Sequence, residues 1–322
     1  MILKTKITEM LNIQYPIIAG TMMNITTPKF VAACSNAGGM GILASAMYKS
    51  PEDLREAISE TKSLTNKPFA VNVNLFPMLQ PVNQLDYINV MIEEGIKVIE
   101  TSGHKAPEEY IPLFKEAGAT WIHKCAGVRY AKTAARLGAD IVTVVGYENG
   151  GATGRLDVGT LVMIPSVVDA VNVPVIGGGG VSDGRGLAAA LALGAGAAII
   201  GTRLMATNEC PIHDDLKQAF VGATEVDTVL IMRSVGATHR VWNNTAAKNV
   251  VEMEKRRAEP SDIFQAAAGA IAKEMYETGD TGLGIVSCGQ GTGLIHDIVP
   301  VHELFARIMK EAGDIVQNLA RA

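Results

Sequence analysis

Short apolar runs recur along the chain, with stretches of helical period between them. In order they lie at 15–20 (YPIIAG), 39–45 (GMGILAS), 69–75 (FAVNVNL), 96–102 (IKVIETS), 120–127 (TWIHKCAG), 140–146 (DIVTVVG), 173–180 (VPVIGGGG) and 197–203 (AAIIGTR). Amphipathic or alanine-rich stretches at 27–37, 51–64, 84–94, 107–117, 129–137, 160–171 and 184–193 separate them. Runs that are apolar throughout, rather than alternating, belong to strands buried on both faces, and their alternation with helices marks a parallel sheet. Eight such strands predict an α/β fold of the closed (β/α)8 TIM-barrel type. A doubly wound open sheet is the rival topology.

After Arg203 the rhythm changes. HDDLKQAFVGA (213–223) reads as a helix and is a candidate for the eighth barrel helix. The remainder is mainly helical, at 246–257, 260–278 and 300–320, with a glycine-rich loop at 279–295. The expected organisation is a barrel over residues 1–224 and a smaller, mainly helical part over 225–322, packed at the barrel mouth.

Composition narrows the function classes. The 322 residues are 48% hydrophobic and only 5% aromatic, with 33 glycines, as suits an enzyme built on close helix–sheet contacts. The formal charge of −5 is mild, and no block of Lys or Arg stands out, which argues against nucleic acid and anionic membranes as partners. The four cysteines, Cys34, Cys125, Cys210 and Cys288, lie far apart without CxxC spacing and read as free thiols of a cytoplasmic protein. The N-terminal MILKTKITEMLNIQYP is broken by charges and does not read as a signal peptide. The uncharged run 186–202 is too rich in Gly and Ala for a membrane span; it reads as a buried helix and strand.

In such a barrel the site lies at the C-terminal strand ends, and phosphate is commonly held after the seventh and eighth strands. There the sequence has Gly177-Gly178-Gly179-Gly180, leading through Val-Ser-Asp into a helix, and then Gly201-Thr202. Bare backbone N–H groups at helix starts can cradle a phosphate without a cationic side chain. The alternative is that these glycines only permit tight turns. Lys124, inside WIHKCAGV, needs an anion or an electron-rich ring such as a flavin if it is buried at the mouth; the alternative is a lysine at a helix start that snorkels to solvent. Asn72 and Asn74 share a face of the third strand, and Glu100 ends the fourth, as an acid/base group or a partner for Lys124. His104 follows the fourth strand. The six histidines form no HExxH-type pair, so no metal site is expected. GxSxG is absent.

The segments YPIIAGTMMN, AACSNAGGMGILAS, KPFAVNVNLFP, IHKCAGVRYAKTAARLGAD, VPVIGGGGVSDGRGLAAALALGAGAAIIGTRLMATNECPIH, LIMRSVGATHRVWNN and GDTGLGIVSCGQGTGLI run nearly end to end. In them the chain resembles the FMN-dependent nitronate monooxygenases (2-nitropropane dioxygenases), the barrel family that includes the FabK-type enoyl-ACP reductases. It looks most similar to the bacterial branch with an NADH:quinone reductase. The resemblance implies FMN at the barrel mouth. Thr21, Met22 and Met23 would approach the isoalloxazine, Asn74 and Lys124 the ring or ribityl chain, Gly150 the ring, and Gly178, Gly180, Gly201 and Thr202 the phosphate.

One departure bears on chemistry. Relatives carry a Gly-Gly-His-x-Gly loop after the sixth strand, whose histidine handles protons over the flavin. In YENGGATGRLD (147–157) that position is Ala152, which can neither accept nor donate a proton. The expected function is therefore NAD(P)H-driven reduction of FMN, NADH or NADPH serving as transient donor. A small acceptor, a quinone or an activated alkene such as an enone or enoyl thioester, would then be reduced. With Ala152 silent, the catalytic proton donor is unassigned; His104, Tyr147 and Lys124 are the candidates. Nitronate oxidation with O2 is the alternative, and a catalytically inactive flavin-binding protein is the alternative of another class. The helical tail could support a homodimer.

Overall fold

The computed structural model describes residues 3–75, 83–103 and 105–321. Its strands, in chain order, are β1 (Ile17–Ala19), β2 (Ile42–Ala44), β3 (Ala70–Asn74), β4 (Val98–Ser102), β5 (Thr120–Cys125), β6 (Ile141–Val145), β7 (Gly151–Ala152), β8 (Val175–Gly178), β9 (Ala197–Ile200), β10 (Thr228–Ile231) and β11 (His239–Trp242). Eight of them form one parallel sheet in the order β1-β9-β8-β6-β5-β4-β3-β2. Met40, just before β2, closes it: Ala19 N–H donates to the Met40 carbonyl at 2.8 Å, and Met40 N–H to that of Ile17 at 3.0 Å. The ends of the sheet therefore meet, which rules out the open doubly wound alternative and gives the predicted (β/α)8 barrel. The local rules are followed at the helix starts. Ser50 and Asp53 form a capping box ahead of Pro51–Leu64, and Pro28 opens Pro28–Asn36.

Two layers of core result. Between sheet and helices lie side chains such as Phe30, Phe114, Trp121 and Ile164. Inside the barrel, Ile18, Ile42, Ala70, Val98, Ile122, Ile141, Ile176 and Ala197 pack with Ile7 and Leu11 of the first helix. This apolar plug fills the N-terminal half of the barrel and leaves polar chemistry to the other end.

The region after β9 departs from expectation in three ways. First, β10 and β11 pair antiparallel, and β11 pairs in turn with β7, so a three-stranded sheet sits in a part read as helical. Second, the helix expected over 260–278 is two, Pro260–Ala266 and Gly269–Thr278. Third, the eighth barrel helix is Val301–Leu319, not the 213–223 segment. That last helix lies against Gly184–Ala192 and Pro28–Asn36. Glycines permit the fit: a Cβ on Gly184 would stand 2.5–2.6 Å from Glu311 Cβ, Ala312 N and Ile308 O, and one on Gly39 would stand 2.7 Å from the Phe305 ring. Gly184 N–H also donates to Glu311 Oε2 at 2.7 Å. The helix Asp214–Val221 instead packs beside the turn Gln290–Leu294. No helix among the described residues is long and apolar enough to cross a membrane.

Candidate active site

Above the apolar plug the barrel interior turns polar. Parallel register lines up Asn74, Ser102, Lys124 and Thr143 on β3, β4, β5 and β6, with Asn72 and Glu100 one step below. Glu100 is 1% exposed. Its Oε2 accepts from Asn72 Nδ2 at 2.7 Å and from Thr21 Oγ1, at the end of β1, at 3.0 Å. Asn72 also reaches Ser102 Oγ at 3.2 Å. Burial pushes the Glu100 carboxyl up from its ordinary value; the Lys124 cation, Asn72 and Thr21 pull it back. Burial likewise pushes the Lys124 ammonium down, and Glu100 opposes that. Burial thus works against the charge of both groups, and each opposes that effect on the other. Thr143 Oγ1, level with Lys124, is buried without a hydrogen-bond partner.

The second component is made of backbone. Gly179 and Gly180, after β8, have φ of +103° and +74°, and the helix Gly184–Ala192 follows with Asp183 as its cap. Their neighbours show why each glycine is needed. Cβ atoms on Gly178 and Gly179 would run into Ile199 and into Thr160 and Gly146, so those two serve strand packing and the turn. A Cβ on Gly201 would meet nothing nearer than Met22 Sδ at 3.9 Å, so the backbone there faces open space. Met22 is half-buried beside it, while Met23 is 49% exposed.

The glycine-rich C-terminal loop ties the strand ends together. Gly289 N–H donates to Thr202 Oγ1 at 2.9 Å, Gln290 N–H to the Glu148 carbonyl at 2.9 Å, and Ser182 Oγ to the Gly291 carbonyl at 2.8 Å. The loops after β6, β8 and β9 are each held by it. Two expectations change accordingly. Gly150 lies against protein backbone: its Cβ position is 2.7–3.0 Å from Gly289 N and Cys288. Thr202 Oγ1 is engaged by Gly289. Cys288 is fully buried with its thiol pushed up to about 12, as burial also does to Cys125 and Cys210; all four cysteines are free.

The remaining sequence candidates separate. His104 lies outside the described residues. Tyr147 is clamped, its carbonyl accepting from Arg240 Nε at 3.0 Å and its ring lying 4.4 Å beneath the guanidinium. His123 points away from the mouth into the core, 2.7 Å from Thr101 Oγ1, and burial pushes it down to about 4. Asn74 keeps its place at the mouth, its carbonyl accepting from Gln84 Nε2 at 2.9 Å. The residue that sequence reasoning passed over is His239. It stands directly opposite Ala152 in the β11–β7 pair, and the Lys124 cation bears on it. No local pattern announces this, because the pairing joins segments 87 residues apart in a sheet the reading did not contain.

At the barrel mouth a buried carboxylate and a half-buried lysine thus stand with open glycine backbone, an arrangement able to hold an anionic cofactor. Residues 4–311 match the nitronate monooxygenase family, and the chain belongs to it. It is thus an enzyme of a flavin-dependent oxidoreductase family. It is 34% identical to the (3aS,4S,5R,7aS)-5-hydroxy-7a-methyl-1-oxo-octahydro-1H-indene-4-carboxyl-CoA dehydrogenase of Rhodococcus jostii (strain RHA1), over 96% of each chain. A probable nitronate monooxygenase of Staphylococcus aureus (strain N315) is 29% identical over 98% of this chain and 99% of its own. Among solved structures, FabK from Thermotoga maritima superposes with a TM-score of 0.91 at 38% identity, over 99% of each chain.

Proposed function

We propose that this protein is an FMN-dependent reductase, driven by NADH or NADPH, of a small electron-poor acceptor: a quinone or an activated alkene such as an enone or enoyl thioester. The observation that carries the reading is that Lys124, half-buried and acted on by Glu100, and the open backbone at Gly201 both stand at the C-terminal strand ends of one closed barrel. The residues fit the cofactor. Gly180 and Gly201 offer backbone N–H groups for the phosphate, and Thr202, whose Oγ1 accepts from Gly289, still has its O–H to donate, while Gly178 packs the strand beneath. Thr21, Met22, Met23, Asn74 and Lys124 offer the ring a polar edge and a soft apolar face, and Gly150 holds the adjoining loop. FMN, when bound, supplies a two-electron carrier between nicotinamide and acceptor. Lys124, when protonated, would offer positive charge and N–H donors to an electron-rich ring, and the neighbouring Glu100 favours that protonated form against burial. The apolar plug below excludes water from the floor.

A thioester acceptor draws further support from the names of the relatives, one a carboxyl-CoA dehydrogenase and one FabK. A cleft of ≈ 430 Å³ lined by Arg155, Arg233, Ser234 and Thr238 would suit an anionic handle that competes with Asp157, which holds Arg233 at 2.7 Å. The test is anaerobic. NADH or NADPH should bleach the bound flavin, and reoxidation should follow with a member of an enone, enoyl-CoA and quinone panel. Turnover of propionate 3-nitronate in air, with no response to any reductant or panel member, would overturn the reading in favour of the nitronate alternative.

A further inference from the structure

We infer that His239 is the proton-transfer residue of this mouth, acting through Nε2 on a carbon-bound proton next to a thioester carbonyl or a nitro group. Three observations place it there. In the antiparallel β11–β7 pair His239 is opposite Ala152, and directly opposed residues carry their Cβ atoms on one face, about 5 Å apart. A side chain at 239 therefore projects to the same side as one at 152. Next, His239 Nδ1 lies 3.0 Å from the Ala237 carbonyl. A carbonyl only accepts, so the proton sits on Nδ1 and Nε2 carries the lone pair. Finally, the ring is half-buried, and of the charged groups around it Lys124 on β5 acts on it, while its cross-strand neighbours Ala152 and Ile231 carry no charge.

Burial and then the Lys124 cation hold the imidazole below its ordinary value, against the pull of the Ala237 carbonyl, so it is mostly neutral near pH 7. A neutral imidazole with a fixed tautomer is a base. In the step it serves, the C–H bond breaks and its electron pair stays on carbon, delocalised onto the carbonyl or nitro oxygen. The Nε2–H bond forms as the proton arrives. In the reverse sense Nε2 returns the proton to the carbon. No oxidant or reductant enters either sense. Lys124 disfavours the imidazolium but favours the oxyanion formed with it. Ala152 then marks a proton-handling group moved across a strand pair rather than one lost.

The substrate class rests on the proposed function, so the test uses a probe that needs neither nicotinamide nor thioester. The FMN-loaded full-length protein is incubated anaerobically with nitroethane in D2O, and loss of the CH2 proton signal is followed by NMR. His239→Ala and His239→Gln should slow the protein-dependent exchange by about 100-fold, the scale of general-base catalysis. The double variant Ala152→His with His239→Ala should recover most of it. On ¹⁵N-histidine-labelled protein, the His239 ring should be the Nδ1–H tautomer at neutral pH, with a midpoint below 6.5. Exchange unchanged in both single variants with flavin still bound, or an Nε2–H tautomer, would overturn the assignment. If enoyl-CoA is never reduced while exchange still depends on His239, the acceptor reading fails and this one stands. If enoyl-CoA is reduced with solvent deuterium entering the α-carbon equally fast without His239, the converse holds.

Discussion

Gly150→Ala is a sharp probe of how the mouth is assembled. The added Cβ would lie 2.7 Å from Gly289 N, 2.9 Å from Cys288 C and 3.0 Å from Cys288 N, all backbone atoms that cannot rotate away. Gly150 is not among the residues with positive φ, so the cost is steric rather than conformational. Overpacking of this kind costs about 1–3 kcal/mol. With an unfolding entropy of roughly 2 cal/mol/K per residue, a chain of this size would lose about 1.5–4.5 °C in Tm if it unfolds as one unit. Relief requires the 288–290 loop to back away, stretching the Gly289–Thr202 and Gln290–Glu148 hydrogen bonds. The readout specific to that movement is Cys288. Buried and pushed up to about 12, its thiol is inert in the native protein. Opening the loop should make it the first cysteine labelled by an aromatic disulfide, located by mass spectrometry. A variant with native Tm and no change in labelling would refute the account of loop-on-loop packing.

Other changes test the site more directly. Gly201→Val adds atoms where only Met22 Sδ is near, at 3.9 Å. Stability measured by denaturant should stay within about 0.5 kcal/mol, while FMN affinity, read by fluorescence, should fall at least about tenfold; unchanged affinity would remove Gly201 from the cradle. Lys124→Met strips Glu100 of its largest offset. The neutral-pH protein should lose about 3 kcal/mol, the low end for breaking a buried charge pair. Because Glu100 then binds its proton more readily in the folded state, the loss should shrink as pH falls; a pH-independent loss would contradict this. His123, held at about 4 against an ordinary 6.5, stays neutral in the fold while the unfolded chain takes up a proton. Native stability should therefore drop as pH falls from 6.5 through 4, by up to a few kcal/mol. His123→Gln should flatten that limb of a urea–pH series.

The barrel was legible because its signal is local and repeated. Each buried strand needs its own apolar run, and each helix its own period and cap, so ILA at 42–44 or IVTVV at 141–145 means the same wherever it pairs. Strand ends followed, and with them Lys124, Asn74 and the glycine turns. The eighth helix was not legible. The 213–223 and 301–319 segments are both amphipathic, and the choice between them turns on a shape match, the missing Cβ atoms of Gly184 and Gly39 against Ile308 and Phe305. The small sheet was missed for a related reason. TVLI and HRVW are four-residue strands, too short to outweigh the helical signals around them, and their third partner is only Gly151–Ala152.

The same limit explains how the loop after β6 reads. In one dimension Ala152 is a vacancy, and the natural conclusion is chemistry without a base. The sheet adds a neighbour 87 residues away whose side chain occupies the same face. A proton-handling position at a barrel mouth is defined by a face and a distance from the strand ends, and any residue that reaches the face satisfies it. β7 is two residues long and carries no ladder beyond β11, so its pairing is worth little as structure. What it does is hold His239 against the loop, with the ring also meeting the Ala237 carbonyl of its own hairpin. Weakening that contact, for example by Thr153→Pro, removes the Thr153 N–H that donates to the Thr238 carbonyl at 3.4 Å. It should leave the barrel folded while freeing the His239 ring, visible as loss of a single Nδ1–H tautomer in the ¹⁵N spectrum. Persistence of the fixed tautomer in that variant would mean the hairpin alone, and not the β6 loop, positions the histidine.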